Sequence, residues 1–341
     1  MTSGQTQLEI GATREARLKR ALFRGDSLRM DNPIYREAVR AILGELTRAD
    51  VGGGDLTVKA LGLGGENATA RVLAKEPGVL AGLQEYVWLL ERQGVRVAAL
   101  KKDGDAVSSG ETVTEIAGNR GDLLAFERVS LNLLQRMSGV ATATRLLQER
   151  ALQERAERGS SGGHGVHGAH VVATRKTPWG LLDKRAVHLG GGGTHRLSLS
   201  DAILVKNNHL ALLGDCEAKA AGEAIRRIWP LRGQAAFLEV EVRSKDSALA
   251  AARAFRDLQG REKEGDSLPC LLMLDNTSPE ETSRIVEALR EEGLLEDILI
   301  EASGNISEEN VEAYAGSGAD ALSVGALTHS ARALDFCQRF S

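Results

Sequence analysis

Six cationic side chains crowd residues 174–210, TRKTPWGLLDKRAVHLGGGGTHRLSLSDAILVKNNHL. Arg175, Lys176, Lys184, Arg185, Arg196 and Lys206 stand there against only Asp183 and Asp201, in a protein whose formal net charge is −4. A local cationic excess inside an acidic protein suits a pocket for a small, multiply charged anion. Diffuse attraction to nucleic acid would ask for basicity over a whole face. Arginine offers carboxylates and phosphates a bidentate fork, and lysine a compact point charge. A single such residue is usually a solvated surface charge. Here Arg175 and Lys176 end one strand-like run, His195 and Arg196 follow a glycine run, and Lys206 ends the next strand-like run.

The acids come next. Glu239 and Glu241 alternate along a predicted strand and so share one face, and Asp275 ends the following strand. In a cation-rich site such carboxylates would hold Mg²⁺, accept hydrogen bonds from sugar hydroxyls, or stabilise a developing cation. The competing reading is a structural salt bridge, which suits Glu239 better than Glu241. Ser303-Gly304-Asn305 and Gly325-Ala326 follow the last two predicted strands. Their backbone N–H groups, with a helix expected from Ser307, would form a nest for a terminal phosphate. The glycines at 190–193 lack the strand–turn–helix context of a dinucleotide fingerprint and the Walker lysine. His164, His167 and His170 lie in GSSGGHGVHGAH, which reads as a flexible loop; glycine-rich chain does not preorganise metal ligands. Cradle, acids and phosphate turns together describe a site for two anionic substrates, one a sugar phosphate. That suits glycosyl or phosphoribosyl transfer, where leaving pyrophosphate must be neutralised while positive charge develops on the ribose.

The elements that position these groups are also legible. Asn32-Pro33 starts a helix, with Ile34, Ala38, Val39, Ile42, Leu43 and Leu46 at helical spacing. Residues 57–116 read as short strands and glycine turns with one helix near 84–92. A long helix follows from Asp122 towards Glu157, with Gly139 a candidate kink. Strand-like runs at 170–176, 202–209, 237–242, 270–276, 298–305 and 321–326 then alternate with amphipathic helices such as Glu217–Ile228, which implies a parallel sheet. Polar residues recur at the C-terminal strand ends, where α/β barrels keep their chemistry; an open doubly wound sheet would place a ligand at the same edge.

Composition narrows the class. With 341 residues, 42% hydrophobic and 26% charged, the chain can bury a substantial core. Aromatics at 4% argue against stacking platforms for single-stranded nucleic acid. Cys216, Cys270 and Cys337 form no CxxC pair, the N-terminus has no apolar signal region, and no apolar run approaches a membrane span. The expectation is a cytoplasmic protein with no nucleic-acid or membrane partner.

The sequence resembles the quinolinate phosphoribosyltransferase family. The resemblance is carried by VGGGDLT (51–57), GVLAGL (78–83), ERVSLNLLQRMSGVAT (127–142), TRKTPWGL (174–181), GGGGTHRLSLSDAILVKNNH (190–209), EVEV (239–242), LDNTSPEE (274–281), EASGNI (301–306) and SVGALTHS (323–330), all in family order. Residues 1–30, polar and basic and outside the resemblance, read as an N-terminal extension or loose helix, and the resemblance implies an α+β open-faced sandwich over 31–128. An incomplete parallel α/β barrel of the type II phosphoribosyltransferase kind would span 129–326, and a C-terminal helix over 327–341 would return to the first domain. By resemblance, the carboxylates of quinolinate would meet Arg175, Lys176, His195 and Arg196, with Arg128 arriving from the neighbouring subunit of a homodimer or larger assembly. Lys176 and Lys206 would face phosphoribosyl pyrophosphate. Glu241 and Asp275 would lie near ribose and Mg²⁺, and Ser303, Gly304, Asn305, Gly325 and Ala326 would hold the 5′-phosphate. Lys176, Glu241 and Asp275 are then the catalytic candidates.

The chain departs from the family pattern in places. Trp179 intrudes after TRKT, Leu182 stands where an arginine is expected, Asn207 replaces an aspartate, Thr194 an asparagine and Asn305 a glycine. Asparagine tolerates a left-handed conformation better than most residues. The alternatives are a paralogous transferase for another aromatic carboxylate and a non-catalytic anion binder; the latter predicts erosion of the acids, yet Glu241 and Asp275 are present.

Overall fold

The structure, a computed structural model, describes residues 13–159, 169–260 and 268–340. His164 and His167 lie outside the described residues. The strands of the first part are β1 (Asn67–Ala74), β2 (Gly78–Val79), β3 (Arg96–Ala99), β4 (Ala106–Val107) and β5 (Thr112–Asn119). Those of the second are β6 (His170–Ala173), β7 (Ile203–Val205), β8 (Leu238–Val242), β9 (Cys270–Asp275), β10 (Leu299–Ser303) and β11 (Ala321–Val324), and β12 (Phe336–Phe340) ends the chain.

An antiparallel sheet of order β12-β1-β5-β3 forms the first layer. Ala70, Val72 and Ala74 alternate inward along β1 while Arg71 and Glu115 pair on the outer face, so one face carries the core and the other stays open. Helix Pro33–Val51 starts as expected: the Asn32 side chain accepts from the Ile34 N–H and Pro33 occupies the first turn. Tyr35, Val39 and Leu43 on this helix are buried in the core.

The second sheet is parallel, with order β6-β11-β10-β9-β8-β7. Its first strand lies beside its last, and the others run in sequence. A doubly wound sheet would reverse direction in the middle, so the order is that of a barrel open between β6 and β7. The glycine run partly fills that gap. Gly193 N–H donates to the Val171 carbonyl and Gly193 C=O accepts from Ala173 N–H, both at 2.9 Å, on the edge of β6 that lacks a strand neighbour.

Three segments differ from expectation. The C-terminal segment over 327–341 is not a helix: Ala326–His329 is one turn, and β12 returns to the first domain as a strand. Phe336 pairs with Ala74 and Phe340 with Ala70, because β1 otherwise presents an unpaired edge. Helix Glu127–Gly159 runs uninterrupted through Gly139. The glycine is there for close approach, since a Cβ would lie 2.0 Å from the Arg332 carbonyl oxygen. Residues 1–30, expected as an extension or loose helix, do include a helix, Arg14–Leu22, capped by Thr13, but it is docked rather than loose. Leu18, Ala21 and Leu22 are buried against Val172, Ala202, Phe237, Leu271, Leu299 and Ala321 at the base of the barrel. Burying each leucine is worth about 1.5–3 kcal/mol. Arg14 adds a bidentate pair to Asp320, both contacts at 2.6 Å.

The first domain also buries a carboxyl. Glu85 on helix Leu83–Glu91 is fully buried and accepts from the Tyr35 hydroxyl at 2.7 Å. Burial, and then the charge of Asp103, push its pKa up to about 7. The folded state therefore keeps this proton where the unfolded state has lost it, and stability declines as pH rises from about 5 towards 8. Glu85→Gln removes that slope. In urea melts the variant is expected to gain about 1–3 kcal/mol on the wild type across this range; a gap that stays constant with pH would contradict the account.

Candidate active site

A cavity of about 300 Å³ opens at the C-terminal ends of the barrel strands. Arg175, Lys176, His195, Arg196, Lys206, Glu241, Asp275 and Ser303 all line it, with Thr174, Leu204, Met273 and Ser323 completing the wall. The geometry follows from strand period and order. Arg175 and Lys176 leave β6, Lys206 follows β7, Asp275 ends β9 and Ser303 ends β10. Glu239 and Glu241 share the inward face of β8, at successive depths.

Its electrostatics are divided. On one side, neither the Arg175 nor the Arg196 guanidinium has a carboxylate at ion-pair distance among the described residues. Burial first, and then the nearby charge of Arg175, lower the Arg196 pKa. Glu239 and Asp201 offset this only at a distance, so two like charges held together without a direct ion pair favour an anion between them. On the other side, burial and then the charge of Asp275 raise the Glu241 pKa. Lys206 Nζ lies 3.7 Å from Glu241, and Asn207 N–H donates to the same carboxylate at 3.4 Å. Arg243 Nε stands 3.5 Å from Asp275. Arg243 was not singled out in the sequence, although its place two residues beyond Glu241 puts it on the same strand-face register.

The loop that carries Lys176 is fastened from below. Arg136 forks onto the fully buried Asp183 at 3.0 and 2.9 Å, and the Thr177 hydroxyl donates to the same carboxylate. The Thr328 hydroxyl donates to the Lys176 carbonyl at 2.8 Å. Both termini of the loop are thus tied to charged or buried partners, which limits how far Lys176 can stray.

Not every candidate converges. Lys184 and Arg185, two of the six cations, turn away: Lys184 is buried with Nζ 2.5 Å from the Thr194 carbonyl, and Arg185 faces Asp103 at 3.9 Å. Burial pushes the Lys184 pKa down to about 7. Leu182 is fully buried, so its position supplies no guanidinium to the site. Arg128 is exposed on the first turn of helix Glu127–Gly159 and does not line the cavity. Of the turn residues, only Ser303 reaches the wall; Gly304, Asn305, Gly325 and Ala326 lie just beyond it in the chain. Gly304 (φ 104°) and Asn305 (φ 53°) are both left-handed, and a Cβ at Gly304 would lie 2.4 Å from Asn276 Oδ1. The helix expected from Ser307 begins only at Val311 and spans five residues, so the turn itself, not a helix terminus, offers N–H groups here.

His195 occupies the cavity floor with its ring turned inward. Its φ is 51°, its Nε2 lies 3.1 Å from Glu239 and 3.3 Å from Glu301, and its Nδ1 accepts from the Arg196 N–H at 2.7 Å. Glu239, Glu301 and His195 were not linked in the sequence, because side chains from three separate elements meet only inside the barrel.

The relatives agree with this arrangement. The family model described as quinolinate phosphoribosyl transferase, N-terminal domain, matches residues 55–138, and that of the C-terminal domain matches residues 140–338. A probable nicotinate-nucleotide pyrophosphorylase [carboxylating] of Methanothermobacter thermautotrophicus is 38% identical over 299 residues, covering 86% of this chain and 96% of its own. The nicotinate-nucleotide pyrophosphorylase [carboxylating] of Mycobacterium leprae is 35% identical, covering 88% and 95%. Among solved structures, NadC from Streptococcus pyogenes is 34% identical with a TM-score of 0.72, covering 89% of this chain and 97% of that one. With both family domains matched in order, and the cationic and acidic walls at the strand ends, the chain belongs to the quinolinate phosphoribosyl transferase family.

Proposed function

We propose that the protein transfers the phosphoribosyl group of phosphoribosyl pyrophosphate to quinolinate with loss of CO₂. The products are nicotinate mononucleotide and pyrophosphate, a step of de novo NAD synthesis. The observation that carries this reading is the pair of guanidiniums without a direct ion pair among the described residues, Arg175 and Arg196, lining one cavity with Glu241 and Asp275. A dicarboxylate satisfies the first wall. A sugar whose anomeric carbon becomes cationic satisfies the second.

In this mechanism Arg175 and Arg196 grip the two carboxylates of the pyridine, and Lys176 and Lys206 lie between the two substrates. Glu241 and Asp275 stabilise positive charge as the bond from ribose C1 to pyrophosphate breaks. The pyridine nitrogen then adds to C1; the resulting pyridinium charge stabilises the electron pair left on the ring carbon when the adjacent carboxylate leaves as CO₂, and a proton from solvent takes the carboxylate's place on that carbon. Ser303, with the turns at Gly304, Asn305, Gly325 and Ala326, receives the 5′-phosphate. Glu241 and Asp275 are hard oxygen donors whose mutual charge is already a cost, so they fit Mg²⁺, directly or through its waters. Bound there, Mg²⁺ would supply positive charge for the pyrophosphate. The exposed Arg128, outside its own cavity, suits a site completed by the neighbouring subunit of a homodimer or larger assembly. We place the enzyme in the cytoplasm. All three cysteines are free, and no helix among the described residues is long and apolar enough to cross a membrane.

Purified protein supplied with quinolinate, phosphoribosyl pyrophosphate and Mg²⁺ should release CO₂ and nicotinate mononucleotide, and Glu241→Gln should lower kcat about 10²-fold. Turnover of nicotinate but not quinolinate would sink the assignment. Arg128→Ala and Lys176→Ala should each be inactive alone, while mixed assemblies of the two recover part of the activity. No recovery in mixtures verified by mass spectrometry would exclude a shared site.

A further inference from the structure

Helix Arg14–Leu22 seals the barrel base, but its last residue and the two that follow reach further. Phe23 packs edge-on against His170 at the start of β6, with ring centroids 5.1 Å apart. A Cβ on Gly193 would lie 3.1 Å from the Leu22 carbonyl oxygen and 3.3 Å from the Phe23 ring. The segment therefore lies against the glycine run at the open edge of β6. From there it meets the turn that carries His195 and Arg196 into the cavity wall. The Leu22 carbonyl accepts from the His195 N–H at 3.0 Å and from the Thr194 hydroxyl at 3.1 Å. The Arg24 N–H donates to the same hydroxyl oxygen, also at 3.1 Å. Lys184 Nζ meets the Thr194 carbonyl at 2.5 Å, so Thr194 is gripped by two separate elements. Thr194 stands where the family pattern has asparagine, and its hydroxyl is the atom that the segment uses. His195 itself holds φ 51°, a left-handed conformation that disfavours a non-glycine residue, so the turn needs fastening from outside.

The Arg24 side chain adds an electrostatic constraint. Its guanidinium donates to Asp201 Oδ1, while Asp201 Oδ2 accepts from the Leu197 N–H at 2.8 Å. Both carboxylate oxygens are thereby engaged. With the Arg24 side chain 32% and that of Asp201 13% exposed, solvent screens this pair only in part. Asp201 is also the acid nearest to Arg196 in the sequence, and its charge acts there without a direct ion pair. Burial and then Arg175 lower the Arg196 pKa, and Glu239 and Asp201 oppose them. An Asp201 released from Arg24 would turn its charge towards Arg196 and compete with an anionic substrate for the guanidinium. A segment that only sealed the apolar base would need none of these polar contacts. The family domains matched above begin at residue 55, so the fastening is supplied by chain that precedes them.

We propose that Leu22–Arg24 is a positioning segment for the substrate-gripping turn: its backbone fastens Thr194 and His195, and the Arg24 guanidinium holds Asp201 away from Arg196, which stays open to the anion. The consequence for catalysis rests on the dicarboxylate reading, but the fastening can be tested without any substrate. Hydrogen exchange read by mass spectrometry on the substrate-free protein should be about tenfold faster over residues 194–201 in Arg24→Ala than in the wild type. Equal exchange in the two would overturn the proposal. In steady-state assays Arg24→Ala should raise KM for quinolinate about fivefold or more, with kcat and KM for phosphoribosyl pyrophosphate changed less than about twofold. Adding Asp201→Asn, which removes the charge and keeps an acceptor for Leu197, should recover most of that rise; no recovery would refute the competition for Arg196. Thr194→Val should raise the same KM, and Thr194→Ser, which keeps the hydroxyl, should not. Arg14→Ala, at the far end of the helix, should lower the melting temperature and leave KM for quinolinate unchanged. A matching rise in Arg14→Ala, or a fall in kcat alone in Arg24→Ala, would reduce the segment to a structural seal. If the wild type does not turn over quinolinate, faster exchange in Arg24→Ala still supports the fastening, and only the substrate reading falls.

Discussion

The unpaired edge of β6 is the constraint on which the site depends. A six-stranded parallel barrel that fails to close leaves a row of backbone donors and acceptors next to the core, and buried groups of that kind must find partners. The chain meets the need with glycines. Gly193 comes close enough to exchange two hydrogen bonds with β6 because it has no side chain to be displaced; a Cβ there would lie 2.7 Å from Val172. Pinning this run to β6 delivers the next residues, Thr194, His195 and Arg196, into the barrel mouth. A fully closed barrel would have had no opening through which a loop could bring a histidine to the centre and an arginine to the rim.

Much of the site was legible because its chemistry coincides with strand ends. Runs such as AILVK and CLLMLD announce a buried strand and name the residue that emerges from it, so Lys206 and Asp275 could be placed before any coordinates. The helix Glu217–Ile228 was readable to the residue from its apolar period. What sequence could not convey was direction. Lys184 and Arg185 have the same types and neighbourhood as Arg175 and Lys176, yet they sit on a helix whose packing turns them away from the cavity. Resemblance grouped His195 with the substrate ligands, and the cavity wall includes it; what sequence did not convey is that the same ring lies 3.1 Å from Glu239 and 3.3 Å from Glu301.

The C-terminal segment shows a similar limit. Phe-Cys-Gln-Arg-Phe is too short for a clear period, and its conformation is set by the edge it joins, a non-local partner that local propensity does not encode. The first helix is the reverse case: Leu18, Ala21 and Leu22 have helical spacing, but among so many charges only their contact with the barrel base shows what they are for.

Those two terminal contacts govern the order in which the molecule can be completed. Helix Arg14–Leu22 closes the base of the barrel only when Asp320 and Ala321 exist to receive it, 306 residues later for the Arg14–Asp320 pair. The antiparallel sheet begun by β1 gains its edge strand only from Phe336–Phe340. During synthesis, then, neither unit is whole until residues 320–340 have been made, and before that each leaves exposed an apolar surface or a strand edge that its distant partner will cover. Pairings of such long sequence separation are slow to form and open to competition from other molecules. The two domains seen in the folded protein are interleaved through Arg14–Leu22 and Phe336–Phe340, and they are not successive units that could mature one after the other.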